Sequence, residues 1–148
     1  MDRGVALAVT AAAGGVVALQ PLVNSLLGKQ VGTLQAALVS FCVGTVALAV
    51  LVVFASGGYG ALGSIGGVPW YGLIGGLMGA AYIVCALLTV RTLGAAGVVA
   101  ATITGQLTMS VVADRFGWLG ADRRPVTLST LLGIALLAAG TWLIVARD

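Results

Sequence analysis

Residues 34–55 read LQAALVSFCVGTVALAVLVVFA, a run without one charged side chain. A helix needs about 20 apolar residues to cross a bilayer, and this run has that length. Backbone in hydrocarbon is tolerable only when each N–H and C=O is paired within its own segment, so the run must be a helix. Working outward, four further runs have the same character: 5–27, 69–90, 94–113 and 126–146. Charged residues make up 7% of the chain, and they fall almost entirely at the edges of these runs; Glu and His are absent. Apolar residues reach 60% and mean hydropathy is +1.16. The expectation is an all-α polytopic membrane protein, a single transmembrane domain over 1–148 with five spans and almost no soluble part.

The sequence pI of about 9.3 would suggest nucleic acid in a soluble domain, but the basic residues here are scattered loop anchors with no patch to grip phosphates. No nucleic-acid partner is expected. Cys42 and Cys85 lie inside the second and third runs, where each reads as a small hydrophobe rather than a disulfide or metal ligand. No metal and no cofactor are expected. The opening Met1-Asp2-Arg3 before an apolar stretch resembles a secretory signal, yet the stretch runs on through Gln20-Pro21 without a convincing cleavage site, which favours a first span.

Connections are short: 28–33, a glycine-rich uncharged 56–68, the three-residue 91–93, and the polar 114–125. The tightness of 91–93 predicts that the third and fourth helices are antiparallel neighbours. Pro69 and Pro125 sit at helix entries, where a missing N–H costs nothing. Pro21 lies within the last turns of the first helix and should loosen it, freeing the carbonyl of Val17.

Glycine predicts how the helices pack. The third run carries Gly72, Gly75, Gly76 and Gly79 in two overlapping small-xxx-small registers; the fourth has Gly97, Ala101 and Gly105, and the first has Ala11 and Gly15. Lipid offers little hydrophobic drive between helices, so close backbone approach must hold them. Such surfaces serve tight packing, and they also suit helices that slide during alternating access.

Five spans put the termini on opposite sides. One side carries Arg3, Arg115, Arg123 and Arg124, the other Lys29, Arg91 and Arg147. That near-even split gives almost no bias under the positive-inside rule. Orientation set by a partner and dual insertion with antiparallel self-pairing both fit.

Polar residues inside the runs are the remaining signal. Gln20 and Asn24 stand four apart on one helical face, next to Pro21. Thr102, Gln106 and Ser110 repeat the step in the fourth run, and Tyr82 lies mid-depth in the third. Amides in hydrocarbon want partners or water, so both faces should point inward. Interhelical hydrogen bonding and cavity lining are both open; as a substrate site, Gln20, Asn24, Tyr82, Gln106 and Ser110 would take a small, neutral or weakly charged molecule. Enzyme schemes that need His or Glu are missing, and no catalytic residue is expected. Asp114, beside Arg115 at the end of the fourth run, is the one near-membrane carboxylate and a candidate for proton coupling.

Several strings occur in order along the chain: Gly14-Gly15, Ala18-Leu19-Gln20-Pro21 with Asn24 and Leu27-Gly28, Ser40-Phe41 with Gly44-Thr45, Pro69-Trp70 with Gly75-Gly76 and Gly79-Ala80, Gly105-Gln106-Leu107 with Ser110, Asp114 with Phe116-Gly117, and Leu132-Gly133. Together they resemble the YdcZ-type five-helix members of the drug/metabolite transporter superfamily. Arg115 departs from the pattern, which has His after the aspartate. The resemblance implies a small-multidrug-resistance-like fold in the bacterial inner membrane, equivalent to half of an inverted-repeat ten-helix transporter. It also implies a partner, either a second copy or a paralogue, and a cavity between antiparallel protomers lined by the first, third and fourth helices of each. The implied activity is secondary transport of a small metabolite or drug-like molecule by alternating access. A passive dimeric pore, or an accessory subunit of a paired transporter, is the alternative.

Overall fold

A chain that must satisfy its own backbone in lipid folds as helix almost throughout. The computed structural model describes residues 2–146; Arg147, counted above among the basic loop residues, lies outside them. The helices are α1 (Arg3–Ala18), α2 (Gln20–Val31), α3 (Thr33–Ser56), α4 (Gly75–Phe116) and α5 (Leu128–Val145), with short 3-10 segments at Gly60–Gly67, Trp70–Leu73 and Trp118–Gly120. No strand occurs among the described residues. Four stretches among them are long and apolar enough to cross a membrane: Arg3–Val31, Thr33–Ser56, Trp70–Phe116 and Leu128–Val145.

The third stretch is too long for one span. Its 47 residues would extend about 70 Å as a continuous helix, more than twice the ~30 Å hydrocarbon core. The helix is broken inside α4 at Gly94, whose φ of 66° and ψ of 169° are non-helical. The break divides α4 into 75–93 and 95–116, each close to the length of about 20 residues that a span needs. Residues 91–93, expected as a loop, are helical; the whole interruption falls on one glycine.

Other boundaries shift for equally local reasons. The first run is interrupted at Leu19, two residues before Pro21, which has no N–H to offer the carbonyl of Val17. Helix then continues past the expected end at residue 27 to Val31, and the connection 28–33 shrinks to Gly32. The third run enters as a 3-10 turn behind Pro69 rather than as α-helix, because Gly72, Gly75 and Gly76 hold helix weakly. Gly117, at a φ of 68°, stops α4 three residues beyond the expected 113. Pro125 and Val126 stay outside α5, which starts after Thr127, whose hydroxyl accepts from the Thr130 N–H at 3.2 Å.

The chain divides into two compact units. The first joins Met1–Ala18 to Val90–Asp148, and the second is Leu19–Thr89. In the second unit, α2 and α3 form a helical hairpin. Gly32 turns it with a φ of 92° and a ψ of 159°, and Gly28 is buried so closely that an added Cβ would lie 3.7 Å from the Ala36 Cβ. Ala36, Ala37, Ile83 and Leu87 form the core, with Leu27 and Val84 against it. Small alanines on α3 thus admit the branched side chains of α4. Beyond α3, the Tyr59 hydroxyl donates to the Ala49 carbonyl at 3.0 Å, tying the glycine-rich connection back to its helix.

In the other unit, the 95–116 part of α4 meets α5. The hydroxyls of Thr104 and Thr141 are 2.8 Å apart, and Thr141 also donates to the Ala100 carbonyl at 3.2 Å. A Cβ at Gly97 would lie 3.4 Å from Val145 Cγ2, so this glycine brings the helices together. Neither α1 nor α5 contains a buried residue. Leu7, Val16, Leu128, Leu136 and Trp142 are widely exposed, the surface expected of helices solvated by lipid or by further protein.

Candidate functional site

Ser40 and Thr45, two of the four hydroxyl-bearing residues of α3, border one recess. Ser40, Phe41, Gly44, Thr45 and Leu48 follow helical spacing, and with Gln20 of α2 they line a half-open cleft of about 200 Å³. An amide, two hydroxyls and an aromatic ring therefore share a small recess on this hairpin. Gly44 keeps it open, with nothing within 4 Å of where its Cβ would stand. Chemically the cleft can donate and accept hydrogen bonds, and it offers no charge.

Phe41 also borders a second, apolar cleft of about 310 Å³ with Leu34, Ala37, Leu38, Ala80, Ile83 and Val84. Its ring packs over Gly79, where an added Cβ would lie 3.5 Å from Phe41 Cζ. Of the four glycines expected to pack the third helix, Gly79 alone meets another helix here. Gly75 and Gly76 face open space within the described residues, and the neighbour of Gly72 is Val68 of its own turn.

Gln20 and Asn24, expected side by side on one cavity face, take different environments. Gln20 is half-buried and lines the cleft, while Asn24 does not line it and is the one buried polar residue among those described, 5% exposed. The Asn24 Nδ2 has no hydrogen-bond partner among them. A buried donor in that state costs about 1–3 kcal/mol, which marks the position as strained by chemistry rather than by shape. Tyr82 belongs to the same unit and is half-buried, but it does not line the Gln20 cleft.

Gln106 and Ser110 lie in the other unit, exposed on 95–116 of α4. Asp114, at the end of the same helix, is half-exposed and lines a cavity of about 240 Å³ with Val111, Arg124, Pro125, Val126 and Thr130. It neighbours Arg124 across this cavity, and the backbone N–H of Arg124 donates to its carbonyl at 3.0 Å. Cys42 and Cys85 are both free thiols. No group of three or more metal-ligating side chains occurs among the described residues.

Sequence reasoning named Gln20 but not its companions as site residues. Ser40, Phe41, Gly44 and Thr45 entered only as part of a family-like string, on a helix that the resemblance did not assign to the cavity. Their spacing of four and five residues was the available signal. Thr104 and Thr141 had none, because their pairing depends on two helices distant in sequence.

These features define a class: an all-helical, multi-pass membrane protein with small polar recesses set into apolar helices. The family described as "Putative inner membrane exporter, YdcZ" matches residues 5–143, and the chain belongs to it. Inner membrane protein YdcZ of Escherichia coli K12 is 29% identical over 151 residues, covering 100% of this chain and 99% of that relative. No solved structure matches. The protein is a multi-pass protein of the inner membrane, in a family of membrane exporters.

Proposed function

We propose that this chain is one half of a secondary carrier that moves a small, uncharged or weakly charged molecule by alternating access, working as an antiparallel homodimer. The observation that carries this reading is the cleft of Gln20, Ser40 and Thr45: three hydrogen-bonding side chains gathered in a recess whose lining holds no charge. Alone it holds about 200 Å³. Two such clefts facing one another would together offer about 400 Å³, within the range of roughly 300–1,000 Å³ typical of ligand pockets. Membership of an exporter family supports transport, and the near-even distribution of Arg and Lys supports insertion in both orientations. In the other unit, Gln106 and Ser110 are exposed on α4 and would offer hydrogen bonds of their own to a partner protomer.

Single-cysteine labelling at Gln30, exposed beside the Gly32 turn, on a background lacking Cys42 and Cys85, tests the assembly; both membrane faces should label. Flux into proteoliposomes tests the carrier, which should saturate with substrate and fall in Gln20→Leu and Thr45→Val. Labelling from one face only would exclude the antiparallel homodimer. Non-saturating flux would replace the carrier by a pore.

A further inference from the structure

The cavity at the end of α4 is unlike the hydrogen-bonding cleft. It holds both signs of charge, Asp114 and Arg124, over an apolar floor of Val111, Pro125 and Val126, with Thr130 at its side. Among the described residues no hydrogen bond or ion pair engages the Asp114 carboxylate or the Arg124 guanidinium, although both residues line one small space. Their backbones are fastened together by the bond from Arg124 N–H to the Asp114 carbonyl. The two residues are thus held side by side without forming an ion pair.

Position and size restrict what fits. The cavity lies where α4 ends and α5 begins, at the edge of two apolar spans, which is the depth of lipid headgroups. Its volume of about 240 Å³ falls below the roughly 300–1,000 Å³ of pockets for drug-sized ligands. Charge excludes a purely anionic occupant, because Asp114 would repel it, and a purely cationic one, because Arg124 would. Arg123 does not alter this balance from within: it is not part of the lining, and its side chain lies over Gly117, where an added Cβ would come within 2.8 Å of Arg123 Cγ.

We propose that this cavity binds a phosphoethanolamine group, its primary ammonium donating to Asp114 and its phosphate accepting from Arg124, with the glycerol end of a lipid against Val111, Pro125 and Val126. The same chemistry could come from a free phosphoethanolamine, and the experiment separates the two sources. Protein purified in detergent is exposed to an equimolar mixture of phosphatidylethanolamine, phosphatidylcholine and phosphatidylglycerol, and retained lipid is read by native mass spectrometry. Phosphatidylethanolamine should be retained about tenfold over each of the others, the equivalent of one charge-assisted hydrogen bond, since choline has no N–H and glycerol no charge for Asp114. Equal retention of all three, or preference for phosphatidylglycerol, would overturn the proposal without any variant. Asp114→Asn and Arg124→Gln should each remove the preference while leaving the protein monodisperse and helical; a preference that survives both overturns it too. Soluble phosphoethanolamine at millimolar concentration identifies the source: displacement of the retained lipid would make a free zwitterion the ligand, and failure to displace it would make the ligand a lipid headgroup.

Discussion

Alanine at Gly94 should destabilise the protein, although it meets no atom. Nothing lies within 4 Å of the position its Cβ would take, so sterics with neighbours contribute nothing. The effect comes from the backbone: a φ of 66° with a ψ of 169° lies in a region essentially restricted to glycine. Forcing an L side chain into it costs about 1–3 kcal/mol. Lower entropy of alanine in the unfolded chain offsets about 0.4–1 kcal/mol of this, leaving a net loss of up to about 2.6 kcal/mol. The control is Gly14→Ala, within α1 and also without neighbours at 4 Å, where alanine should gain about 0.5–1 kcal/mol through helix propensity. Opposite signs are therefore expected from the same substitution in equally open surroundings. SDS-titrated unfolding in mixed micelles, followed by tryptophan fluorescence, measures both. If Gly94→Ala is stabilising like Gly14→Ala, α4 runs helically through residue 94 and the division into two spans is wrong.

Three further substitutions test packing and chemistry. Gly79→Ala should be nearly neutral, its Cβ resting at ordinary distance from Phe41, whereas Gly79→Leu should push that ring aside at a cost of about 1–3 kcal/mol in the same unfolding assay. Asn24→Leu removes a buried donor without a partner, so thermal stability should hold or rise by up to about 1–3 kcal/mol; a large loss would mean that the amide is bonded after all. If Asn24 also serves transport, the same stable variant should show reduced flux. Asp114→Asn should leave the pH profile of flux unchanged, since this carboxylate sits beside Arg124 at a helix end rather than in the Gln20 cleft; a flattened profile would make it the coupling group.

The spans were legible because apolar length is a property of each segment by itself. Their breaks were not. The chain holds 23 glycines, yet among the described residues only six take a positive φ, and composition does not distinguish Gly32 and Gly94 from the rest. Pro21 was legible, since its missing N–H acts wherever it stands, and the ladder does fail just ahead of it. For the site, Gln20 stood out because an amide in an apolar run has no cheap way to satisfy itself. Ser40 and Thr45 did not, because a hydroxyl in a helix can bond its own preceding turn, as Thr89 does to the Cys85 carbonyl and Thr108 to that of Thr104. A hydroxyl therefore signals a cavity only once its neighbours on other helices are known.

The separation of hydrogen-bonding groups from charges along this chain bears on what it can carry. A charged side chain at the centre of a span costs about 2.5–3.5 kcal/mol on insertion scales, and this sequence keeps its Asp, Lys and Arg at the ends of the apolar runs. A substrate with a net charge would meet the same cost in the Gln20 cleft without an opposite charge to offset it. A neutral molecule instead exchanges water for Gln20, Ser40 and Thr45, while its apolar part covers Phe41 and Leu48. Our proposed carrier should accordingly prefer, among otherwise similar compounds, the uncharged one that keeps at least one donor and one acceptor. Flux measured for matched neutral and charged analogues decides this: equal flux for both would require a counter-charge in the site, and the cleft of α2 and α3 does not contain one.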